Sequence, residues 1–347
     1  MTTTRSDKKQ TRISRGAMIF VLAVIAIISV GGIGLLYVLS RHDGDAAWFY
    51  LPATSTPQSV KDSLLSALDP AQASKVYHIW EMSGGKTSTA HGAYRVEPGE
   101  TALATARKML KGHQTPVKVT FHNIRTMPEL MSRIASSLEV SADSLSRAAY
   151  KVLTDSGFKP DQFPAAFIPD TYEFYWTTPA ENIVTRLLDY RNRFWNDDRT
   201  AKARALGLSP VEAATLASIV EEESNKADEQ PVIARLYLNR LNRGMPLQAD
   251  PTVKFAVGDF TLRRITGSHL AVSSPFNTYL NKGLPPGPIR VAAKGAIDRV
   301  LSAPKHSYLY MCAKEDFSGY HNFAADYNTH RANARRYQKA LNDRNIH

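Results

Sequence analysis

The sequence predicts an α+β protein: one N-terminal transmembrane helix, a small βα module behind it, and a mixed α/β domain making up the rest. Three observations predict this. Residues 17–39 are apolar and uncharged, strand-like stretches alternate with amphipathic periods between about 46 and 121, and helix-start signatures after residue 123 give way to long Gly- and Pro-rich loops. With 347 residues, 43% of them hydrophobic, the chain is long enough for two or three compact units with real cores.

The apolar run is about 23 residues long, and at 1.5 Å per residue it crosses a hydrocarbon layer of ~30 Å. Arg5, Lys8, Lys9, Arg12 and Arg15 precede it; Arg41, His42, Asp43 and Asp45 follow. The positive-inside bias therefore puts a basic tail (1–16) in the cytoplasm and everything after about residue 41 outside. A cleaved signal peptide is the alternative, but the run exceeds a typical h-region and no A-x-A-like site closes it. The formal charge of +11 favours a polyanionic neighbour, and an outward-facing domain argues against nucleic acid. The single cysteine, Cys312, excludes an internal disulfide and reads as core packing in a buried strand.

Behind the anchor, 47–51 reads as a strand, and Thr56-Pro57 opens a helix with Val60, Leu64, Leu65 and Leu68 on one face. A strand over 92–96, a helix carrying Leu103, Met109 and Leu110 that stops at Lys111-Gly112, and a strand over 117–121 complete a module spanning 46–121. The remainder, 122–347, divides into a helical part (123–206) and a second part (207–347). Thr126-Met127-Pro128-Glu129, Thr178-Pro179-Ala180-Glu181 and Ser209-Pro210-Val211-Glu212 have capping-box spacing. Between the first two, 167–176 is aromatic-rich without a helical period and reads as extended. From 244 to 290 the composition turns to Gly, Pro and polar residues; a helix over about 291–303, a strand around Tyr308 and a basic helix over about 327–342 follow.

The helix opened by Ser209 ends in three acids. At ~100° per residue, Ala213, Ala214, Ala217 and Val220 share an apolar arc that includes Glu221, whereas Glu222 falls with Thr215 and Ser218 and Glu223 sits at the margin. A carboxyl held among apolar groups resists ionisation and can act as a general acid near neutrality. Two plainer readings stand beside this one: Glu221 paired structurally with a basic residue, and the triplet as a solvated helix end. Other chemistries lack support. Gly84-Gly85-Lys86-Thr87 has Trp80 where a phosphate loop needs its first glycine, and no His-Glu-x-x-His occurs, so neither a metal site nor a cofactor is expected.

Five ordered blocks carry a resemblance: Ala217-Ser218-Ile219-Val220-Glu221; Ala234-Arg235-Leu236-Tyr237-Leu238-Asn239-Arg240-Leu241; Leu247-Gln248-Ala249-Asp250-Pro251-Thr252-Val253; Asn277-Thr278-Tyr279; and Gly283-Leu284-Pro285-Pro286-Gly287-Pro288-Ile289. With Pro169-Asp170-Thr171-Tyr172, His321-Asn322-Phe323 and His330, the chain resembles the endolytic murein transglycosylase (YceG-like) family, and 46–121 is similar to its LysM-like subdomain. The resemblance implies an inner-membrane, single-pass lyase with a periplasmic YceG-like catalytic domain. It would cleave nascent peptidoglycan between N-acetylmuramic acid and N-acetylglucosamine, leave 1,6-anhydromuramic ends, and have peptidoglycan synthases as candidate partners.

The family's catalytic glutamate maps onto Glu221. Gln248, Asp250, Asn277, Tyr279, Leu284, Pro285, Pro286 and His321 map onto cleft motifs as sugar-positioning or loop-shaping groups. Two Glu-Gly pairs common in the family are His122-Asn123 and Ala165-Ala166 here. A catalytically silent peptidoglycan-binding or assembly scaffold is the competing expectation.

Overall fold

The N-terminal apolar run forms helix α1 (Arg15–Val38), long and apolar enough to cross a membrane and without a buried residue of its own. The computed structural model describes residues 15–262 and 265–344; the basic side chains at positions 5, 8, 9 and 12 lie outside that range. From α1 onward the chain forms two units, each with its own core.

The first unit comprises residues up to Pro116 together with Tyr175–Thr177. Strand β1 (Ala47–Leu51) alternates as a half-buried strand should, sending Phe49 and Leu51 inward. Helix α2 (Pro57–Ala67) starts at the capping Thr56, α3 (Pro70–Met82) at Asp69, and the single-turn α4 (Thr87–Ala90) leads into β2 (Gly92–Val96). β1 and β2 pair antiparallel, Phe49 opposite Tyr94. Helix α5 (Ala102–Lys111) packs on α3 and closes a core of Phe49, Leu51, Leu64, Val76, Trp80, Tyr94 and Met109. Gly85 sits on the Trp80 ring, where an added Cβ would lie 2.3 Å from it, so this glycine serves packing.

The second unit covers Val117–Phe174 and Thr178–His347. Its first strand, β3 (Val117–Phe121), was expected from sequence to complete the N-terminal module. Instead it pairs antiparallel with β4 (Asp170–Phe174), Phe121 opposite Asp170, a long-range match that local pattern does not encode. Between them run α6 (Met127–Ala135), α7 (Ala142–Asp155) and a 3₁₀ segment (Pro160–Ala166).

Thr126 caps α6 as read, but its Glu129 reaches the Arg125 N–H rather than closing the box. At Thr178 the helix starts one residue later than read: α8 (Ala180–Phe194) takes Pro179 as its cap residue, and Glu181 pairs with Lys151. After α9 (Asp197–Ala205) come the central helices α10 (Pro210–Glu223) and α11 (Gln230–Asn242).

The Gly/Pro-rich stretch holds two short helices, α12 (Asp250–Val257) and α13 (Gly267–Leu270), before α14 (Lys294–Leu301). The ribbon β5 (Tyr310–Ala313) and β6 (His321–Ala324) pairs antiparallel, and α15 (Tyr327–Asp343) ends the unit. Cys312, expected in a buried strand, is only partly buried: every residue of β5 is intermediate in exposure. Packing of α10 against α11 and α14 brings Leu216, Ile219, Ile233, Leu236, Ile297 and Val300 into one core.

Candidate active site

Helix α10 begins where its sequence says. Ser209 accepts from the Glu212 N–H while Glu212 accepts from the Ser209 N–H, and Pro210 occupies the first turn. Every residue from Ala213 to Val220 is buried, including Thr215 and Ser218, which the helical phase groups with Glu222 and not with the apolar arc. A helix enclosed all round has no single interior face. Its three terminal acids leave it in three directions, each about 100° from the last, and each meets a different environment.

Glu221 points toward the start of α14. It accepts the Ala293 N–H at 3.0 Å and lies 3.6 Å from the Arg290 guanidinium, itself only 9% exposed. A carboxylate at a helix N-terminus beside a buried arginine is in a structural position. Glu222 is held by Arg290 at 2.7 Å and Arg125 at 3.2 Å. Asn123 joins this network by accepting from Arg290, and at φ 54 it adopts the left-handed conformation that asparagine tolerates better than most residues. The departure from a Glu-Gly pair at 122–123 is thus accommodated locally.

Glu223 faces a cleft of about 330 Å³, which it lines with Tyr237, Arg240, Gln248, Asp250 and Tyr279; Tyr310, Cys312, His321 and His330 form the remaining wall. Burial is the main cause pushing its carboxyl from the ordinary 4.5 up to about 7. The hydrogen bond from Tyr237 Oη at 2.6 Å and the charge of Lys254 work against that rise, while the charges of Asp250 and Glu222 add to it. Of the three acids, Glu223 is the one that combines a raised pKa with a cleft, whereas Glu221, to which helical phase and the family resemblance both pointed, is not among the residues lining that cleft.

The groups around Glu223 are fixed by a buried scaffold. Arg240 donates to the carbonyls of Leu309, Pro246 and Leu247 and to the Gln248 side chain. Gln248 is held at φ 52, a strained setting of the kind found at functional sites, with its N–H on the Thr278 carbonyl. Thr252 and Thr278 hydroxyls meet at 2.8 Å, and Thr278 also takes the Ala249 N–H. Tyr279 donates to Asp250 at 2.6 Å across the floor.

Of the residues mapped from sequence, Gln248, Asp250, Tyr279 and His321 gather with Glu223. Asn277 does not line the cleft: it is fully buried, donates to the Leu270 and Val272 carbonyls and accepts the Tyr279 N–H, so it shapes the loop that presents Tyr279. Leu284, Pro285 and Pro286 line a different cavity of about 580 Å³ with Ser209, Glu212 and Thr215, near the opposite end of α10. From there the chain runs back along α10, the Ile289 N–H on Ser218 Oγ, and at Gly287 it passes so close to Asp161 that a Cβ would sit 1.8 Å from that carbonyl oxygen.

Sequence reasoning did not single out Glu223, Tyr237 or Arg240 as cleft residues, although the last two stand in a quoted motif. The available signal was spacing: two residues on a helix turn Glu223 about 200° from Glu221, onto the side where α11 and α12 supply polar groups. Among the described residues no group of three or more His, Cys, Asp or Glu side chains is arranged to hold a metal.

Fold and cleft together define a mixed α/β domain with a polar groove lined by the carboxyls of Glu223 and Asp250. The chain belongs to the YceG-like family, whose sequence pattern matches residues 49–336. It is similar to the endolytic murein transglycosylase of Bacillus subtilis, 26% identical over 287 residues that span 77% of this chain and 78% of that protein. It also resembles the endolytic murein transglycosylase of Streptococcus pneumoniae, 31% identical over 150 residues, 42% of this chain and 27% of that protein. Its fold matches the crystal structure of a YceG-like protein from Listeria monocytogenes with a TM-score of 0.55 and 24% identity, over 83% of this chain and 98% of that one.

Proposed function

We propose that the protein is a peptidoglycan lytic endotransglycosylase with Glu223 as its acid and base. The observation that carries this reading is a carboxyl with a pKa near 7 facing a sugar-sized polar cleft, in a chain whose relatives are named endolytic murein transglycosylases. In the protonated state Glu223 gives its proton to the glycosidic oxygen leaving C1 of N-acetylmuramic acid. As carboxylate it takes the proton of the muramic C6 hydroxyl as that oxygen bonds to C1, closing the 1,6-anhydro ring. The proton count closes on one group.

Tyr237 steadies the carboxylate form, and Asp250 disfavours a second charge nearby while Tyr279 orients it. Asp250 also supports a second reading: two carboxyls sharing a cleft can hydrolyse a glycoside instead. Products decide between them, since lytic cleavage leaves anhydro ends and hydrolysis leaves reducing ends.

Helix α1 fits a single-pass anchor in the cytoplasmic membrane, with the tail inside and the cleft on the periplasmic face. The first unit, an antiparallel ribbon over helices, is proposed as the LysM-like module. Nascent glycan strands are the proposed substrate and peptidoglycan synthases the proposed neighbours. To test the assignment, purified peptidoglycan is digested with the full chain and the fragments are weighed by mass spectrometry. Wild type is expected to give anhydromuramic ends and Glu223→Gln none, while a folded Glu221→Gln protein still gives them. Retention of the product by Glu223→Gln, or a digest without anhydro ends, overturns the proposal.

A further inference from the structure

A buried carboxylate outside the acid helix sets the hydrogen-bonding character of one cleft wall. Glu229, at the cap of α11 and 5% exposed, accepts the His321 N–H on Oε1 at 2.7 Å; its Oε2 meets Ser224 Oγ at 3.0 Å and His321 Nδ1 at 2.9 Å. Ser224 Oγ already accepts the Lys226 N–H, so its own hydrogen goes to Glu229. Both carboxylate oxygens thus receive donors from fixed neighbours, and an ionised carboxylate only accepts. The proton of a neutral His321 must therefore reside on Nδ1, which leaves Nε2 bare. His321 lines the cleft with Glu223, and among the described residues Nε2 has no protein partner.

The geometry points to His321 as a positioning residue whose Nε2 accepts a hydrogen bond from a glycan hydroxyl beside the bond that is cut, with Glu229 fixing the tautomer. This rests on the cleft reading above and extends it. A hydroxyl other than the reacting C6 hydroxyl is the donor, because the C6 proton goes to Glu223. A sugar turned to offer an ether or carbonyl oxygen at that point would face a lone pair and be disfavoured, so the dyad selects ring orientation.

Two measurements on the full chain in detergent test it. Nitrogen-15 NMR of labelled histidine is expected to show His321, assigned by its loss in His321→Gln, with Nδ1 protonated and Nε2 bare; the opposite neutral tautomer, or a ring protonated on both nitrogens so that Nε2 donates, overturns the proposal. Binding of a GlcNAc–MurNAc oligosaccharide is then measured on a Glu223→Gln background, where no turnover occurs. Adding His321→Ala is expected to weaken binding about 3- to 10-fold, the size of one hydrogen bond, while His321→Gln, whose amide oxygen reaches the same point, stays within about twofold. Equal binding by His321→Ala overturns the role of His321 and leaves the cleft reading standing. No binding by the Glu223→Gln protein itself overturns both.

Discussion

The difference between Glu221 and Glu223 is one of surroundings, and pH exposes it. Burial moves the Glu223 carboxyl from the ordinary 4.5 to about 7, so between those values the folded protein holds a proton that the unfolded chain has released. Stability must fall as pH rises through this window and level off above the folded value, by on the order of 1–3 kcal/mol for a shift of this size. Glu223→Gln is expected to flatten that dependence and be the more stable protein at pH 8, as read by urea denaturation at pH 5 and pH 8. An unchanged slope in the variant would place the raised carboxyl elsewhere. Cleavage, which needs the protonated form first, is expected to decline above about pH 7. Sequence identified the acid-bearing helix and its start, and it singled out Glu221, whereas the acid of that helix that lines the cleft is Glu223. The helical-phase part of that choice assumed one buried face, whereas α10 is enclosed from Ala213 to Val220, and the partners Arg290 and Tyr237 set the acids apart.

At the level of elements, what the sequence made legible was local. Thr56, Thr126 and Ser209 cap the helices they appeared to cap, because a side-chain oxygen three residues before an amide needs no distant partner. The pairing of β3 with β4, and the return of the 283–291 segment along α10, depend on residues far apart in sequence and left no local trace. The 266–281 segment is the sharpest case. Asn277 looked like a ligand by motif, yet both of its side-chain polar atoms are spent on Leu270, Val272 and Tyr279. Asn277→Ala is expected to cost on the order of 2 kcal/mol through buried groups left unpaired, to speed hydrogen exchange across 266–281, and to weaken oligosaccharide binding through Tyr279. Weakened binding with stability and exchange unaltered would return Asn277 to the role of direct contact.

On the scale of the whole molecule, the long apolar helix α1 was readable because the composition and length needed to span a bilayer are set whatever the rest of the chain does. The charge balance of +11 has no such unique cause, and its meaning depends on which side of the membrane the folded units lie. Cys312 reports that side directly. It is the chain's single cysteine, it lines the cleft, and burial raises its thiol pKa, so it reacts slowly at neutral pH and faster as pH rises. A maleimide that cannot cross membranes is expected to label the protein in intact spheroplasts at mildly alkaline pH, with Cys312→Ser giving no signal. Labelling that appears only after the membrane is permeabilised would put the cleft in the cytoplasm, away from any glycan strand, and would remove the compartment that the proposed reaction requires.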